Sequence, residues 1–313
     1  MDALETLVEG PRARGAFVLR LELDSDWSIR VADESVLTVM AVQAGTCTVS
    51  TEAAAAHASA GDVVVVRGPG PYSVASDPDR SPDFIIEPNQ VCIDVDGNRL
   101  VESMRRGIRT WGTTAEGVDR ILVGTYARPL EVGRLLVELL PELLVERSDS
   151  STRALADLLA GQAMTEAPGQ AVVLDRLLDA LLIAALRAAG TGGERPGDPP
   201  IDKVLAYLHA HPQAPVSVEA MARFGALSRT AFAQRFSDRT GVAPGAYLRR
   251  LRLAWAADEL RMSTRTVAAV AEEAGYGSPA SFSTAFKQEY GQSPQGWRLQ
   301  AGVAVLGDPG AGG

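Results

Sequence analysis

The chain has 313 residues, about twice the length of a typical single domain, and its hydrophobic content of 46% is enough for packed cores. Its formal net charge of −9 is too small for a chain that is disordered throughout. A membrane span needs an apolar run of roughly 18 residues, which the sequence lacks, and Met1 to Arg20 carries acidic residues where an export signal would be basic and then apolar. We therefore expect a folded protein of two domains, in the cytoplasm and without a membrane partner.

Short strands are predicted between residue 16 and about residue 125. β-Branched residues cluster there, and glycine-containing turns such as Gly61-Asp62 separate the clusters. The predicted strands are Ala16 to Leu23, Trp27 to Val31, Val36 to Val42, Thr46 to Ser50, Val63 to Val66 and Ile121 to Thr125. This number of strands at short spacing is typical of a barrel or sandwich.

Two apolar helices are predicted next, from Leu130 to Leu144 and from Gln170 to Ala188. Leu135, Leu139 and Leu143 share one helical face of the first, and a stripe in the second contains Leu174, Leu177, Leu178, Leu181 and Leu182. Part of this apolar surface must close the strand core, and the remainder is a candidate homodimer face, with packing wholly within the chain as the alternative.

A linker is predicted at residues 189–200, where seven Gly and Pro residues lie without apolar periodicity. Residues 201–300 form a second domain in which every predicted element is a helix, and residues 301–313 are expected to be a flexible tail. Serine or threonine stands at four predicted helix starts, as N-caps: Ser217, Ser228, Thr266 and Ser278. The predicted helices are Ile201 to His211, Val218 to Phe224, Ser228 to Arg239, Gly245 to Leu260, Val267 to Ala274 and Pro279 to Tyr290.

Charge is divided unequally between the two halves. Residues 200–300 contain twelve Lys and Arg against eight Asp and Glu, whereas residues 1–199 contain 18 against 30. This asymmetry favours an acidic sensor or partner domain joined to a modestly basic domain that can approach an anion.

The helical domain contains an internal repeat. The segment that begins at Val218 is repeated from Val267, and each copy continues with a glycine-containing turn, a capping serine and a helix with two phenylalanines four residues apart. Phe232 and Phe236, like Phe282 and Phe286, must face the core, so the opposite face of each second helix is exposed. These exposed positions are Thr230, Ala233, Gln234 and Ser237 in the first copy and Ala280, Ser283, Thr284 and Lys287 in the second.

Neither set contains a carboxylate, so each of these faces is able to enter the major groove of double-stranded DNA. Cations nearby are expected to contact phosphates: Arg229, Arg235, Arg239, Arg249, Arg250, Arg252 and Lys287. The amides at the helix starts capped by Ser228 and Ser278 are further anion sites.

In these motifs, residues 201–299 resemble the DNA-binding domain of the AraC/XylS family of bacterial transcription regulators. The resemblance is strongest from Val267 to Ser278 and at Phe282, Phe286, Gly291 and Pro294. It implies a long helix that joins two helix-turn-helix units, RNA polymerase as a partner, and regulation by activation. It also implies base contacts from Thr230, Ala233 and Gln234 and from Pro279, Ala280 and Thr284.

Two features depart from the family pattern. Gly225-Ala226 stands where the glycine is usually second, and we expect Ala226 to keep a negative φ. The second reading face carries one long hydrogen-bonding side chain, Lys287, so we expect that face to contact phosphates and thymine methyl groups.

The N-terminal half, residues 1–188, resembles the cupin-like sensor domain of one branch of this family, on the segments Gly61 to Val66, Pro69 to Tyr72 and Gly124 to Tyr126. Enzymatic cupins hold a metal through a His-x-His pair, a carboxylate and a later histidine, but no such pair occurs in the predicted strands, and Tyr72 stands where the later histidine would be expected. We therefore predict no metal, no cofactor and no catalytic residues. Trp27, Tyr72 and Trp111 are candidates to line an effector pocket, with core packing as the alternative.

The remaining metal-ligating and redox-active residue types have simple interpretations. Cys47 and Cys92 are expected to be apolar fillers of strands, with a redox switch as the alternative. His209 and His211 are spaced like ligands, but they precede Pro212 at a helix end, where we expect cationic side chains that meet the helix dipole.

The sequence thus predicts an α+β protein with a cupin-like β domain and an all-α, double helix-turn-helix domain. The predicted function is that of a DNA-binding transcription regulator controlled by a small-molecule effector or a partner. Two alternatives remain open: a metal-dependent cupin enzyme with a helical assembly domain, and a DNA-binding regulator controlled through protein contacts alone.

Overall fold

A computed structural model describes residues 17–306 apart from 101, 127–130, 148 and 191–197. The chain forms two compact units. The β unit contains the described residues of 11–129 and 140–196, and the helical unit contains those of 130–139 and 197–313. Most of the predicted linker lies outside the described residues. In the part of the chain that is described, no helix combines the length and apolar character needed to cross a membrane.

Two sheets make up the β unit. The strand order is β10-β11-β1-β12-β3-β6-β13 in the first sheet and β5-β4-β7-β2-β8-β9 in the second. The six strands predicted from sequence are present, and seven others occur between and after them. The strands are β1 (Phe17–Leu23), β2 (Ser28–Val31), β3 (Leu37–Ala44), β4 (Thr46–Ser50), β5 (Ala55–Ser59), β6 (Val63–Arg67), β7 (Tyr72–Ala75), β8 (Phe84–Glu87), β9 (Val91–Asp94), β10 (Arg105–Gly107), β11 (Thr110–Gly112), β12 (Asp119–Tyr126) and β13 (Leu143–Glu146).

The predicted helix from Leu130 to Leu144 is wrong in its second half. Helix α1 (Glu131–Val137) ends early, and Leu143 lies in β13, which pairs antiparallel with β6. Leu135 packs in the helical unit, while Leu143 packs against the core of the β unit. The four-residue spacing of Leu135, Leu139 and Leu143 is compatible with a helix. The backbone hydrogen-bonding groups of residues 143–146 are instead satisfied by pairing with the Val63–Arg67 strand.

Two helices cover the first sheet from outside. Helix α2 (Ser150–Ala163), which the sequence did not predict, begins at Asp149, whose carboxylate accepts from the Ser151 and Thr152 amides. Helix α3 (Gln170–Gly190) packs so closely on β12 that a Cβ atom on Gly124 would lie 2.4 Å from the Leu178 side chain. Most of the leucine stripe of α3 is therefore buried within the β unit, including Leu174, Leu178, Leu181 and Leu182.

The helical unit has two hydrophobic cores that share one helix. Leu248, Leu251 and Ala254 of α7 belong to the first core, and Leu253 and Leu260 of the same helix belong to the second. The elements after α3 are α4 (Pro199–Ala210), α5 (Val218–Phe224), α6 (Arg229–Thr240), α7 (Pro244–Met262), α8 (Val267–Glu273), α9 (Pro279–Tyr290) and α10 (Pro294–Leu306).

Helix α10 extends six residues into the segment expected to be a tail. No proline interrupts the sequence between Pro294 and Pro309, and each residue added to an existing helix gains one backbone hydrogen bond. Residues 301–306 of the predicted tail are therefore helical, and residues 307–313 lie outside the described residues.

Helix α1 belongs to the helical unit, although the chain enters it from β12 and leaves it for β13. The Asp258 carboxylate in α7 accepts from the amides of Glu131, at 2.8 Å, and Val132, at 3.1 Å, so α7 caps the N-terminus of α1. Arg250 bonds to Glu138 at 2.9 Å near the other end of α1. Burial raises the pKa of Asp258 to about 6. The hydrogen bonds from the two amides favour the charged carboxylate and so act in the opposite direction.

His209 is buried and neutral, which contradicts the expectation of a cationic side chain at the end of α4. Burial lowers its pKa to about 3, and its Nε2 lies 2.6 Å from the Tyr247 hydroxyl. His211 is exposed at the same helix end.

Candidate DNA-binding surface and effector cavity

The two helix-turn-helix units have nearly the same backbone. Three successive backbone amides in each turn donate to carbonyl oxygens of the preceding helix. In the first unit the donors Gly225, Ala226 and Leu227 bond to the carbonyls of Met221, Arg223 and Ala222, respectively. In the second unit the donors Ala274, Gly275 and Tyr276 bond to the carbonyls of Val270, Glu272 and Ala271. The second turn is one residue longer, since Gly277 separates Tyr276 from the cap Ser278. All four predicted N-caps accept a backbone amide hydrogen: Ser217, Ser228, Thr266 and Ser278.

Ala226 differs from the expectation of a negative φ. Its φ is 53°, in the left-handed region that Gly275 occupies in the other unit with φ of 81°. The first unit thus makes the same turn with an alanine in place of glycine. Gly225 is close to α4, because a Cβ atom there would lie 3.3 Å from the Pro200 carbonyl oxygen.

The phenylalanine pairs fix the orientation of both candidate reading helices. Phe232, Phe236, Phe282 and Phe286 are fully buried, and the rings within each pair lie 5.4 and 5.5 Å apart. The candidate contact residues lie on the other side: Arg229, Thr230, Gln234, Ser278, Pro279, Ala280, Thr284 and Lys287 are exposed, and Ala233, Ser237 and Ser283 are half-buried. Both helices therefore present the predicted faces to solvent.

Two exposed residues of these faces are not among those that the sequence predicts. Asp238 is exposed one turn after Gln234 and accepts a hydrogen bond from its Nε2 at 2.9 Å, so the first face is not free of carboxylate. Gln288 occupies the equivalent exposed position in α9, so that face has a second long hydrogen-bonding side chain. Averaging the directions of both phenylalanines in each helix, rather than using one, would have found Asp238 and Gln288.

Thr284 and Ser278 already make hydrogen bonds within their own helix. The Thr284 hydroxyl donates to the Ala280 carbonyl at 3.0 Å, so toward a ligand it offers only lone pairs. The Ser278 hydroxyl accepts from the Ser281 amide as the N-cap and donates to the Ser281 hydroxyl.

Most of the arginines expected to contact phosphates are engaged inside the helical unit. Arg235 makes two hydrogen bonds, of 2.6 and 2.7 Å, to Asp198 and so holds the pKa of that carboxyl below its usual value. Arg239 pairs with Asp202 and Arg229 with Glu219, while Arg252 donates to the Ala214 carbonyl and Arg250 pairs with Glu138 and Glu289. Among the described residues, neither Arg249 nor Lys287 has an ion-pair partner, which leaves both available to an anion.

A cavity of about 290 Å³ lies between the two sheets of the β unit, lined by residues of both. Tyr72 and Trp111 line it, together with apolar side chains such as Leu21, Met40 and Val123. The polar lining residues are Asp33, Gln90, Arg105, Arg109, Thr110 and Thr125.

Trp27 is not among the lining residues of this cavity, which corrects the third candidate. Its side chain is fully buried, and its indole N–H donates to the Asp119 carboxylate at 2.8 Å. This hydrogen bond holds Trp27 in the core. Core packing, the alternative to lining an effector pocket, therefore applies to Trp27.

The donor set in the cavity does not suit the metal of enzymatic cupins. The described lining residues include one carboxylate, Asp33, and one thiol, Cys92, but no imidazole. No cluster of three metal-ligating side chains occurs among residues the structure describes. Burial raises the pKa of both Cys47 and Cys92 to about 12, so both thiols are protonated at neutral pH and poorly reactive.

Comparison with known proteins assigns both halves. A cupin family model matches residues 2–189, which is more than half of the chain, and a helix-turn-helix domain model matches residues 221–300. An AraC-like transcription regulator of Streptomyces lividans is 27% identical over 95% of this chain and 98% of its own length. The regulator AlkR of Acinetobacter baylyi is 25% identical over 96% and 100%, and the activator RhaS of Escherichia fergusonii is 33% identical over 45% and 49%.

These relatives are transcription regulators, and the alternative of a metal-dependent cupin enzyme is not favoured. The β unit carries the cupin domain, and the helical unit carries two helix-turn-helix motifs with outward-facing second helices. The chain therefore belongs to the AraC/XylS family of DNA-binding transcription regulators, in the branch that has an N-terminal cupin domain.

Proposed function

We propose that this regulator reads its operator through the exposed faces of α6 and α9, and that the two helices have different tasks. The observation that carries the proposal is the repeated arrangement of one fully buried phenylalanine pair opposite one exposed polar face. A single exposed face of this kind is ordinary surface, but two on matched scaffolds suit successive major grooves.

Helix α6 is proposed to supply most of the base readout. Since Gln234 donates to Asp238, its carbonyl oxygen stays free to accept from adenine N6 or cytosine N4, and Asp238 itself offers a further acceptor. Thr230 and Ala233 lie beside Gln234 on this face and are proposed to contact bases with it.

Helix α9 is proposed to contribute mainly phosphate contacts. Lys287 on α9 and Arg249 on α7 are both exposed, and neither has an ion-pair partner among the described residues. Thr284 is proposed to accept from a base amino group, because its own hydrogen is used by Ala280. Pro279 and Ala280 suit apolar contact with thymine methyl groups.

Substituting Gln234 and Lys287 separately tests this division. We expect Gln234→Ala to relax base preference at one operator position by about 1–3 kcal/mol of discrimination. We expect Lys287→Ala to weaken binding to all sequences and to lower the slope of log K against log salt by about one. Binding to a randomised operator library at several salt concentrations measures both effects.

Lys203→Ala is the matched control, because it makes the same change in net charge away from the reading faces. The Lys203 ammonium lies 4.6 Å from the centre of the Phe224 ring. A loss of affinity from Lys203→Ala equal to that from Lys287→Ala would reduce the proposal to a general charge effect. Equal loss of base preference from Gln234→Ala and Lys287→Ala would contradict the division itself.

Regulation is proposed to begin in the β unit. An effector in the cavity between the sheets, or a partner that prefers one state of this unit, would change the fraction of molecules able to bind DNA. We propose activation, through RNA polymerase, as the outcome, in line with the relative described as an activator. The proposal includes action in the cytoplasm, where the chromosome lies, and no enzymatic activity.

A homodimer is part of the same proposal, with a smaller face than the sequence predicted. The α3 leucines are mostly buried within the β unit, but Leu158 of α2 and Val172 and Val173 of α3 are 49%, 59% and 41% exposed. Sedimentation equilibrium of the intact protein and of Val172→Lys tests self-association through this face.

A further inference from the structure

The cavity in the β unit has a mainly apolar lining, and two of its lining residues each carry a buried polar atom that lacks a partner among the described residues. These are the Trp111 indole Nε1 and the Thr125 Oγ1, in side chains that line the cavity and are almost fully buried. A buried donor without an acceptor costs about 1–3 kcal/mol, so each group in a native fold calls for an explanation.

Strand geometry directs the Thr125 hydroxyl inward. Successive side chains of β12 point to opposite sides, and Gly124 and Tyr126 face α3, where Leu178 and Asp179 meet them. Val123 and Thr125 therefore face the cavity, which both residues line.

Trp111 is held in place at the other side of β1. Its ring packs edge-on against Phe84 with centroids 5.5 Å apart, and β11 pairs with β1 so that Trp111 lies opposite Leu21. An indole N–H is a donor only, so the group it lacks is an acceptor oxygen or nitrogen.

Each charged residue that lines the cavity either makes hydrogen bonds within the protein or is exposed to solvent. Arg109 donates to the Ala163 and Thr165 carbonyls, and Asp33 accepts from Gln90 and from Ser35. Arg105 is exposed, so water already solvates its guanidinium. A carboxylate taken into this interior would lose hydration without a buried cation to replace it.

We propose that the cavity binds an uncharged, mainly apolar organic molecule whose acceptor oxygen, of the ketone or ester type, receives the Trp111 indole N–H. This inference rests on the proposed control of the regulator by an effector and names the chemical class of that effector. The volume of about 290 Å³ suits a molecule at the small end of the range for ligand sites.

Three probes of similar shape test the class on the full-length protein: butyrophenone, butylbenzene and 4-phenylbutyrate. Calorimetric titration, with competition for the hydrocarbon, gives their affinities. We expect butyrophenone to bind about three- to tenfold more tightly than butylbenzene, the range for one neutral hydrogen bond. We expect 4-phenylbutyrate to bind at least tenfold more weakly than butyrophenone because its carboxylate must be desolvated.

Trp111→Phe assigns the hydrogen bond. It should remove the preference for butyrophenone over butylbenzene, and the hydrocarbon serves as the internal control for lost packing. Arg105→Gln should leave butyrophenone affinity unchanged. The comparison of probes on the unsubstituted protein needs no variant, so it decides the question even where Trp111→Phe fails to fold.

Three results would overturn the inference: equal affinity for ketone and hydrocarbon, tighter binding of the carboxylate that depends on Arg105, or no binding of any probe by the folded protein. DNA binding is measured separately on the selected operator. Ketone binding that leaves DNA affinity unchanged would contradict effector control while the ligand class stands. If the protein binds its operator but none of the probes, the inferred ligand class is wrong while the proposed DNA binding stands.

Discussion

Ala226 carries backbone strain that its counterpart Gly275 avoids. A residue with a Cβ atom in the left-handed region costs roughly 1–2 kcal/mol, and Ala226 has φ of 53° there. We expect Ala226→Gly to raise the free energy of unfolding by about 0.5–1 kcal/mol, after subtraction of the greater entropy of glycine in the unfolded chain. Urea denaturation followed by circular dichroism measures the change.

Gly275→Ala is the reciprocal substitution. Its φ of 81° and a Cβ position 3.0 Å from the Arg252 guanidinium predict a loss of about 1 kcal/mol or more. If Ala226 is strained, Ala226→Gly must raise the free energy of unfolding and Gly275→Ala must lower it. Destabilisation by Ala226→Gly would mean that the first turn is not strained in solution.

The exposure of single residues on the proposed reading faces could be predicted from sequence, because burial of phenylalanine fixes the rotation of a helix. Thr230, Gln234 and Thr284 were found in this way. The ion-pair partners of the arginines could not be predicted from sequence. Asp198, for example, lies 37 positions from Arg235, and the two meet only because α4 packs on α6.

At the level of elements, helix α1 depends on a carboxylate from α7. We expect Asp258→Ala to lower the free energy of unfolding of the helical unit by about 1–2 kcal/mol, because the Glu131 and Val132 amides lose their acceptor. Urea titration of the intact protein, followed by the fluorescence of Trp255 and Trp297 in the second core, measures the loss.

Asp258→Asn is the control, because its amide oxygen still accepts from one of the two amides. The loss should be smaller than for Asp258→Ala, particularly since Asn avoids a buried charge. Equal losses for both variants would show that the charge, and not the cap, matters at this position.

The elements with local signals were predictable, and those decided by pairing were not. Runs of β-branched residues marked β3 and β6, and capping serines marked α6 and α9. Strand β5 has the sequence AAHAS, with no strand signal of its own, and it exists because β4 pairs with it. Strand β13 is leucine-rich like a helix and is fixed by β6.

For the whole molecule, α7 contributes residues to both cores of the helical unit, so we expect the proposed reading helices α6 and α9 to contact the operator at a fixed spacing. Inserting about five base pairs, half a helical turn, between the sites of α6 and α9 should lower affinity on the order of 100-fold, because one unit loses its contacts. An insertion of about ten base pairs should not restore binding, as it would if a flexible chain joined the units. Electrophoretic mobility shifts on the altered operators, with an insertion outside the site as control, measure this. Recovery at ten base pairs would refute a rigid connection.

Helix α7 has a further consequence for how the protein melts. Leu251 and Leu253 are separated by one residue, yet each is fully buried in a different core. Heat that loosens one core must therefore disturb the helix on which the other is built. Although the sequence shows a duplication, calorimetry should record a single cooperative transition for the helical unit, so that neither copy survives as a stable intermediate.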